Sequence, residues 1–543
     1  MPSLAYAKCG LDTGTACPSP DVDGDGYTTN GTKLGYDCDD TDWQITPGVW
    51  RKVASDYSYC QTNGTWSTGV STPDASTGSG VDYFIDCDAG SNGGGTHGSP
   101  WNIASYVTSQ YSGTPSGRID LNAGDAVWIG GTCTTQIDED GVGGGVAYLF
   151  LIRNRDANST DKIKILTWPG KARAKFNNTG ADLSTIVHIQ NSDYVELHGI
   201  EVQGGGDYGV HYSDSTGGLI KNAYVHDVDG VADNNNTGIT FTQANNTYLT
   251  HSLLEDNWDN DSVVTKLNNR NFAAFGGTGN KVLYSSFDFD DAAIIGATGE
   301  ARQIGYKHGD TVTTSSSAFE AAYNIILDGA MGVETGESGS NIHHNYIEVR
   351  ATGLSLEDIG GPFYPNNFLA EYNTIKADSC YNFDWDSADS TPTNNIVKKN
   401  VCTNNVASYN SEQGTQVHSV YGNDALYTTV SSLSVIDFQQ NCYYNAGAAA
   451  LQFNFFSSDS GANNKGELYS FANWKLADTS GTNNKPIFDD DSFSENPSFD
   501  SLNRATSTNC KNFGWMLDAP AEEEELDIRI WGSLHDLLAR RFW

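Results

Sequence analysis

The residues best placed to do chemistry form one basic cluster and a run of carboxylates that follows it. Arg302-Gln-Ile-Gly-Tyr-Lys307-His308 concentrates positive charge in a chain of 543 residues that carries 30 Lys and Arg against 68 Asp and Glu, for a net charge of −38. Glu334, Glu357 and Asp384 come next, each beside an apolar residue, and Trp385 adjoins the last of them. Lys or Arg near carboxylates suits β-elimination from a uronate. A base removes the proton at sugar C5, and a cation neutralises the neighbouring carboxylate. That chemistry assigns Lys307, Arg302 and His308 to catalysis and Glu334, Glu357, Asp384 and Trp385 to the substrate. A calcium ion on Glu334 and Glu357 could complete the neutralisation. The same side chains also read as an outward salt-bridge ladder.

Such a column exists only if short strands stack in register. Val187/Ile189, Val195/Leu197, Ile200/Val202, Val210/Tyr212 and Ile239/Phe241 are brief alternations, each ended by Gly, Asn, Asp or Ser. Alternation with period two puts one face in a core. The pattern Leu197-His-Gly-Ile-Glu-Val202 returns as Ile220-Lys-Asn-Ala-Tyr-Val225 and again near Leu249–Leu254. A unit of twenty-odd residues cannot bury its apolar face alone and must stack on copies of itself. Later repeats carry a marker, Asn before apolar residues, at Asn324, Asn345, Asn373, Asn400 and Asn441. Asn tolerates left-handed backbone, and stacked Asn side chains form ladders. The expected fold is all-β, a right-handed parallel β-helix. A β-sandwich with Asn-rich loops is the alternative, although its strands are usually longer. Aligning Ile239/Phe241, Ile304/Tyr306, Val333, Leu354/Leu356 and Phe383/Trp385 places Lys307 in one outward column with Glu334, Glu357 and Asp384, strands being about 4.8 Å apart.

Four segments carry a family resemblance. DYFIDCDAGSNGGGTHGSPWNIASYV, GDAVWIGGTCTT (from Gly124), IKILTWPGKARAKF (from Ile163) and ELYSFANWKLADTSGTNNKPIFDD (from Glu467) resemble the opening, first coils and C-terminal segment of secreted bacterial pectate-lyase-like β-helix proteins. The resemblance spans about residues 80–515 and implies the fold, including a short capping helix after Ser99-Pro-Trp. It implies less about activity, because this fold hosts lyases, hydrolases, epimerases, adhesins and scaffolds. The Lys307/Arg302 grouping resembles the Lys/Arg-plus-calcium sites of alginate and chondroitin lyases, while the Arg-x-Pro-x-x-Arg pattern of pectate lyases is absent. Asp259/Asp261, Asp290/Asp291 and His308-Gly309 resemble, in order, the acidic pairs and His-Gly of polygalacturonase-like hydrolases, without their Arg-Ile-Lys element. Carboxylates two coils apart would be roughly 10 Å apart, near the inverting range. A third reading is an extracellular adhesin or fibre subunit, since open solenoid ends can associate head to tail. Trp258, Tyr364 and Trp385 could stack on sugars in any of these cases.

The termini read differently. Asp21, Asp23 and Asp25 alternate before Gly26, and Asp37, Asp39, Asp40 and Asp42 follow. The run DxDGDGY…DCDDTDxxITPG resembles the metal-binding motif of secreted proteins related in style to thrombospondin type 3 repeats, and implies calcium. Thr32 stands where an EF-hand would need Glu. The expected organisation is a calcium module over residues 1–60, a linker over 61–80, the β-helix over 81–515, and a tail over 516–543 whose helix would cap the solenoid or dock on another chain. Met1–Ala7 ends like a signal-peptidase site without the charged and apolar regions that precede one. Ten cysteines without a CxxC pair favour disulfides and a secreted, extracellular or cell-surface location. Cys380 and Cys402 lie about one coil apart. The acidic charge disfavours nucleic acid as a partner, no apolar run is long enough for a transmembrane helix, and a polysaccharide is the expected ligand.

Overall fold

The computed structural model describes residues 50–515 apart from 62–64, 108–117, 139–146, 230–235, 258–268, 290–301, 308–317, 358–365, 386–393, 405–417, 423–435, 448–451, 458–466, 473–486, 489–490, 501–502 and 512. The acidic motif from Asp21 to Asp42, the tail from residue 516, and His308 lie outside the described residues. So do Trp258, Asp259, Asp261, Asp290, Asp291 and Tyr364. Two units are present, divided between Asp74 and Ala75. In the first, Trp50–Val53 and Asp56–Tyr59 pair as an antiparallel hairpin. Tyr57 bridges to Val70 and Cys60 to Trp66, so part of the stretch expected as a linker is hydrogen-bonded onto the hairpin. The Arg51 guanidinium lies 3.6 Å over the Trp66 ring and holds that return segment in place.

The second unit is a parallel β-helix. Each coil contributes one short strand to each of three faces. Leu219–Lys221, Tyr224–Val228 and Thr237–Thr242 make one coil, and Tyr248–Thr250, Leu253–Glu255 and Arg270–Phe275 make the next. Strands pair in parallel with the equivalent strand of the neighbouring coil. The first face is a 13-stranded sheet from Asp82–Asp86 to Ile487–Phe488. Its inward column reads Val127, Ile165, Leu197, Ile220, Leu249, Val282, Ala321, Ile342, Ala370, Val397 and Phe438, all buried. Each large member contributes about 1.5–3 kcal/mol by leaving water. This is why a repeat of brief alternations, unstable alone, is stable when stacked. At the C-terminal end of the third face, Gln452–Ser457 pairs antiparallel with Glu467–Ser470, so the parallel series stops there. The expected capping helix is a single 3-10 turn, Ala104–Tyr106.

The turn from first to second face is two residues long in coil after coil, and its chemistry repeats. Its second residue is Ala223, Ser252, Ser285, Asn324, Asn345, Asn373, Asn400 and Asn441 in successive coils. The asparagines form the expected ladder. Asn324 Nδ2 donates to Asn345 Oδ1 at 3.0 Å, Asn345 to Asn373 at 3.0 Å, Asn373 to Asn400 at 2.9 Å and Asn400 to Asn441 at 3.2 Å. The left-handed residue, however, is the one before each ladder position. His251, Tyr284, Tyr323, His344, Tyr372 and Lys399 all have φ between 49° and 59°. The rings from His251 to Tyr372 stack along the outside of the corner, with Tyr284–Tyr323 centroids at 5.0 Å and 7°. The ladder asparagine is spared the left-handed geometry because its side chain must point inward to meet the next coil.

Three disulfides pin the solenoid: Cys87–Cys133, Cys380–Cys402 and Cys442–Cys510. The coil-length spacing of Cys380 and Cys402 therefore does join them. Cys60 is disulfide-bonded as well. Such a framework suits an oxidising compartment. No helix among the described residues is long and apolar enough to cross a membrane. Beyond the last coils the chain turns back along the second face. Trp515 is fully buried against Tyr346, at 5.2 Å between ring centroids, and its amide donates to Thr374 Oγ1 at 3.2 Å. Gly514, at φ 92°, donates to Lys399 O, and a Cβ there would come within 2.5 Å of Thr374 Oγ1. Only glycine allows the strap to lie this close.

Candidate functional site

The three faces differ in what they can offer a ligand. On the first face the charges compensate one another. Lys162 Nζ lies 2.7 Å from Glu196, Lys281 Nζ 2.7 Å from Glu320, and Lys398 Nζ 3.1 Å from Glu371. Burial opposes ionisation of Glu196, but hydrogen bonds from His198 and Lys162 bring its pKa down to about 2. Glu320 is likewise held at about 2, chiefly by its hydrogen bond from His343, with burial opposing and Lys281 assisting. The second face carries similar pairs, such as Lys175–Glu201 at 2.7 Å. In its C-terminal coils it is covered by the strap that carries Trp515.

The third face is different. The long connections begin or end on it: Glu255 to Arg270, Asp288 to Arg302, Lys307 to Glu320, Glu357 to Leu369, Trp385 to Asn395, and Gly422 to Ile436. Three columns run along it. The first, next to the second face, reads Tyr208, Thr237, Arg270, Arg302 and Met331. The central one reads His188, His211, Thr240, Ala273, Gly305, Glu334, Ser355 and Asn382. The last contains Ser213, Thr242, Phe275 and Lys307, then Glu357, Asp384 and Tyr421 farther along.

This register places each residue picked out from the sequence. Arg302 and Lys307 bound one strand, with Gly305 between them. Glu357 lies opposite Asp384 on the adjacent coil. Glu334 is opposite Gly305, in the central column, and so is a diagonal neighbour of Lys307 about 8 Å away. The single column expected for Lys307, Glu334, Glu357 and Asp384 is therefore two columns. Leu354 and Leu356 pair with Tyr381 and Phe383, where the sequence alignment had used Phe383 and Trp385. Tyr381 is fully buried and fills the core position. Trp385 falls one step past Asp384, opposite Gly422. Glu334 itself is buried.

Two features escaped the sequence reading. Arg270 sits directly opposite Arg302, one coil away. Arg270 is 4% exposed, and its guanidinium lies 5.6 Å from the centroid of the Phe275 ring across the small Ala273. The long connection before Arg270 hid this register. His188 and His211 stack at 4.7 Å and 2° in the central column, sharing 2.9 Å hydrogen bonds with Ser213 and Thr242 respectively. Their signal was legible: Val187-His-Ile and Val210-His-Tyr are equivalent alternations one coil apart. Burial, then His211 and Arg153, lowers the His188 pKa to about 3, and burial lowers His211 to about 4. Both imidazoles are neutral at pH 7, so the positive charge of this face comes from its arginines.

Among the described residues, no group of three His, Cys, Asp or Glu side chains is arranged to hold a metal ion. The paired positions Glu357 and Asp384 offer the hard oxygen donors that calcium prefers, and Glu334 stands in the adjoining column.

Parallel sheets on three faces, an inward apolar ladder and an asparagine corner define the chain as a parallel β-helix protein. No protein-family model matches it, and no curated protein sequence matches it. Several solved structures are similar in backbone. Pectate lyase Pel9A is 13% identical with a TM-score of 0.38, over 70% of this chain and 78% of that one. A GH136 lacto-N-biosidase from Eubacterium ramulus is 12% identical with a TM-score of 0.44, over 70% of this chain and 67% of that one. The tailspike protein of E. coli bacteriophage HK620, solved with a pentasaccharide, is 12% identical with a TM-score of 0.37, over 61% of this chain and 58% of that one. These likenesses concern the backbone path, and no chemistry follows from them.

Proposed function

We propose that the protein is a secreted, polysaccharide-active β-helix whose third face binds an acidic glycan, and that it acts as a calcium-dependent uronate lyase. The observation that carries this reading is the register Arg270–Arg302, with Lys307 at the far end of the Arg302 strand. Arginines at matching positions of adjacent coils put two positive residues in one column. In a chain of net charge −38, that arrangement suits a ligand whose anionic groups lie across both. Guanidinium groups match carboxylates in a planar, bidentate fashion. In this reading Arg302 orients the uronate carboxylate, and Lys307 in its neutral form takes the C5 proton as the C4–O bond breaks and the leaving oxygen takes up a proton. Glu357 and Asp384 contact the glycan and Trp385 stacks on a sugar ring, whereas Glu334, buried in the central column, does not reach it. Glu357 and Asp384 would hold calcium at the site, where the ion would neutralise carboxylate charge. The aspartates from Asp21 to Asp42 would hold it in the N-terminal module.

The test follows ultraviolet absorbance of unsaturated product over a panel of uronate polysaccharides, with and without calcium. Lys307→Ala should abolish the signal while the circular dichroism spectrum stays unchanged. Reducing ends without unsaturated product would replace the lyase with a hydrolase. Glycan binding or filament formation without cleavage would leave a structural role.

A further inference from the structure

We propose that His343 and His344, at the corner between the first and second faces, form a two-nitrogen site for a divalent transition metal, with Cu2+ and Ni2+ favoured over Zn2+. The site is remote in chemistry from the third face and does not depend on the lyase reading. Its first basis is distance. The two Nδ1 atoms stand 2.9 Å apart, on rings inclined at 87°. Nitrogens about 2.0–2.1 Å from one ion lie about 2.9 Å apart when they subtend a right angle and about 3.3 Å apart at the tetrahedral angle. The observed spacing is the bite of adjacent positions in a square-planar or octahedral ion, the geometry of Cu2+ and Ni2+. Zinc would have to widen it. Cu2+ and Ni2+ also bind nitrogen donors more tightly than the earlier metals of the series.

The second basis is orientation by neighbours. His343 Nε2 faces the Glu320 carboxylate at 3.2 Å, and Glu320 is ionised, with its other oxygen 2.7 Å from Lys281 Nζ. A carboxylate on the far nitrogen fixes the tautomer that leaves Nδ1 with its lone pair, the arrangement that supports a metal-bound imidazole. His344 is clamped between the Tyr323 and Tyr372 rings, each with its centroid 5.0 Å away, so its ring cannot swing away from His343. It is neutral at pH 7, its pKa lowered to about 3 by burial and by His343. Without metal, one proton is shared between the two Nδ1 atoms. Metal binding moves that proton through solvent to His344 Nε2, so both imidazoles stay neutral, and water completes the coordination.

The neighbouring coils supply benign substitutions. Ala322 precedes His343 in register, and Tyr323 and Tyr372 flank His344 in the stack. His343→Ala and His344→Tyr each copy an adjacent coil and leave the corner intact. The experiment is calorimetric titration of the full-length protein, without a histidine tag, with CuCl2, NiCl2 and ZnCl2. Electron paramagnetic resonance of the Cu2+ form would accompany it. The expected result is one Cu2+ per chain with nitrogen hyperfine structure, weaker Zn2+ binding, and at least tenfold weaker Cu2+ binding in each variant. The absence of saturable Cu2+ or Ni2+ binding would overturn the proposal. So would nitrogen-coordinated Cu2+ that persists unchanged in both variants, since the nitrogens would then lie elsewhere.

Discussion

Replacing Asn373 tests whether the corner ladder holds the coils together. Its side chain is fully buried. Its Oδ1 accepts from Asn345 N and Asn345 Nδ2, both at 3.0 Å, and its Nδ2 donates to Asn400 Oδ1 at 2.9 Å and Ile342 O at 2.9 Å. In Asn373→Ala the Asn345 side chain keeps its bond to Ala321 O, but the Asn345 backbone N–H loses its acceptor and Ile342 O loses this donor. Leaving a buried polar group unsatisfied costs about 1–3 kcal/mol, so the two together should cost about 2–6 kcal/mol. Asn373→Ser should lose less. At the same turn position, Ser252 and Ser285 each accept the backbone N–H of the preceding coil, at 3.1 and 3.2 Å. Urea unfolding followed by circular dichroism measures the loss, and amide exchange at Asn345 locates it. If Asn373→Ala stays within about 1 kcal/mol of the parent, or Asn373→Ser is as damaging as Ala, the ladder does not stabilise the coils in the manner argued.

Stability should fall as pH drops below about 6.5, because the unfolded chain then protonates its histidines while His188, His211 and His344 remain neutral down to about 3, 4 and 3. Each adds up to about 1.4 kcal/mol per pH unit to the slope, the full stability being present above 6.5. A flat urea midpoint from pH 7 to 5 would refute this, and His211→Gln should reduce the slope. Breaking the Cys380–Cys402 bridge with paired alanines should cost about 3 kcal/mol for its sequence separation of 22, a difference that vanishes when both proteins are reduced. Trp515→Ala should cost about 3–5 kcal/mol and expose the strap to limited proteolysis, whereas an unchanged digest would mean the strap is held by Cys442–Cys510 alone. Calorimetry on the full chain should show calcium binding that weakens in Asp23→Ala, and no calcium heat with the parent chain would remove the N-terminal site.

The sequence by itself determined the coil. Two-residue turns between first and second faces keep the count between Leu197 and Val202 the same as between Ile220 and Val225, so the repeat is visible as spacing. The asparagine ladder and the Cys380–Cys402 bridge were legible for the same reason, since short turns preserve register. Across the third face the connections are long and uneven, and the count is lost there. A strand can then be matched to its neighbour only by its apolar residues, and period two makes a shift of two residues invisible. That shift separated Glu334 from the column of Lys307 and displaced Trp385. Only the tertiary structure decided that Arg270 lies opposite Arg302, that the strap carrying Trp515 covers the second face, and that His343 and His344 bring their Nδ1 atoms to 2.9 Å. Each of these depends on which segments meet after the long connections are crossed, or on a left-handed corner that turns adjacent side chains together, and local pattern encodes neither.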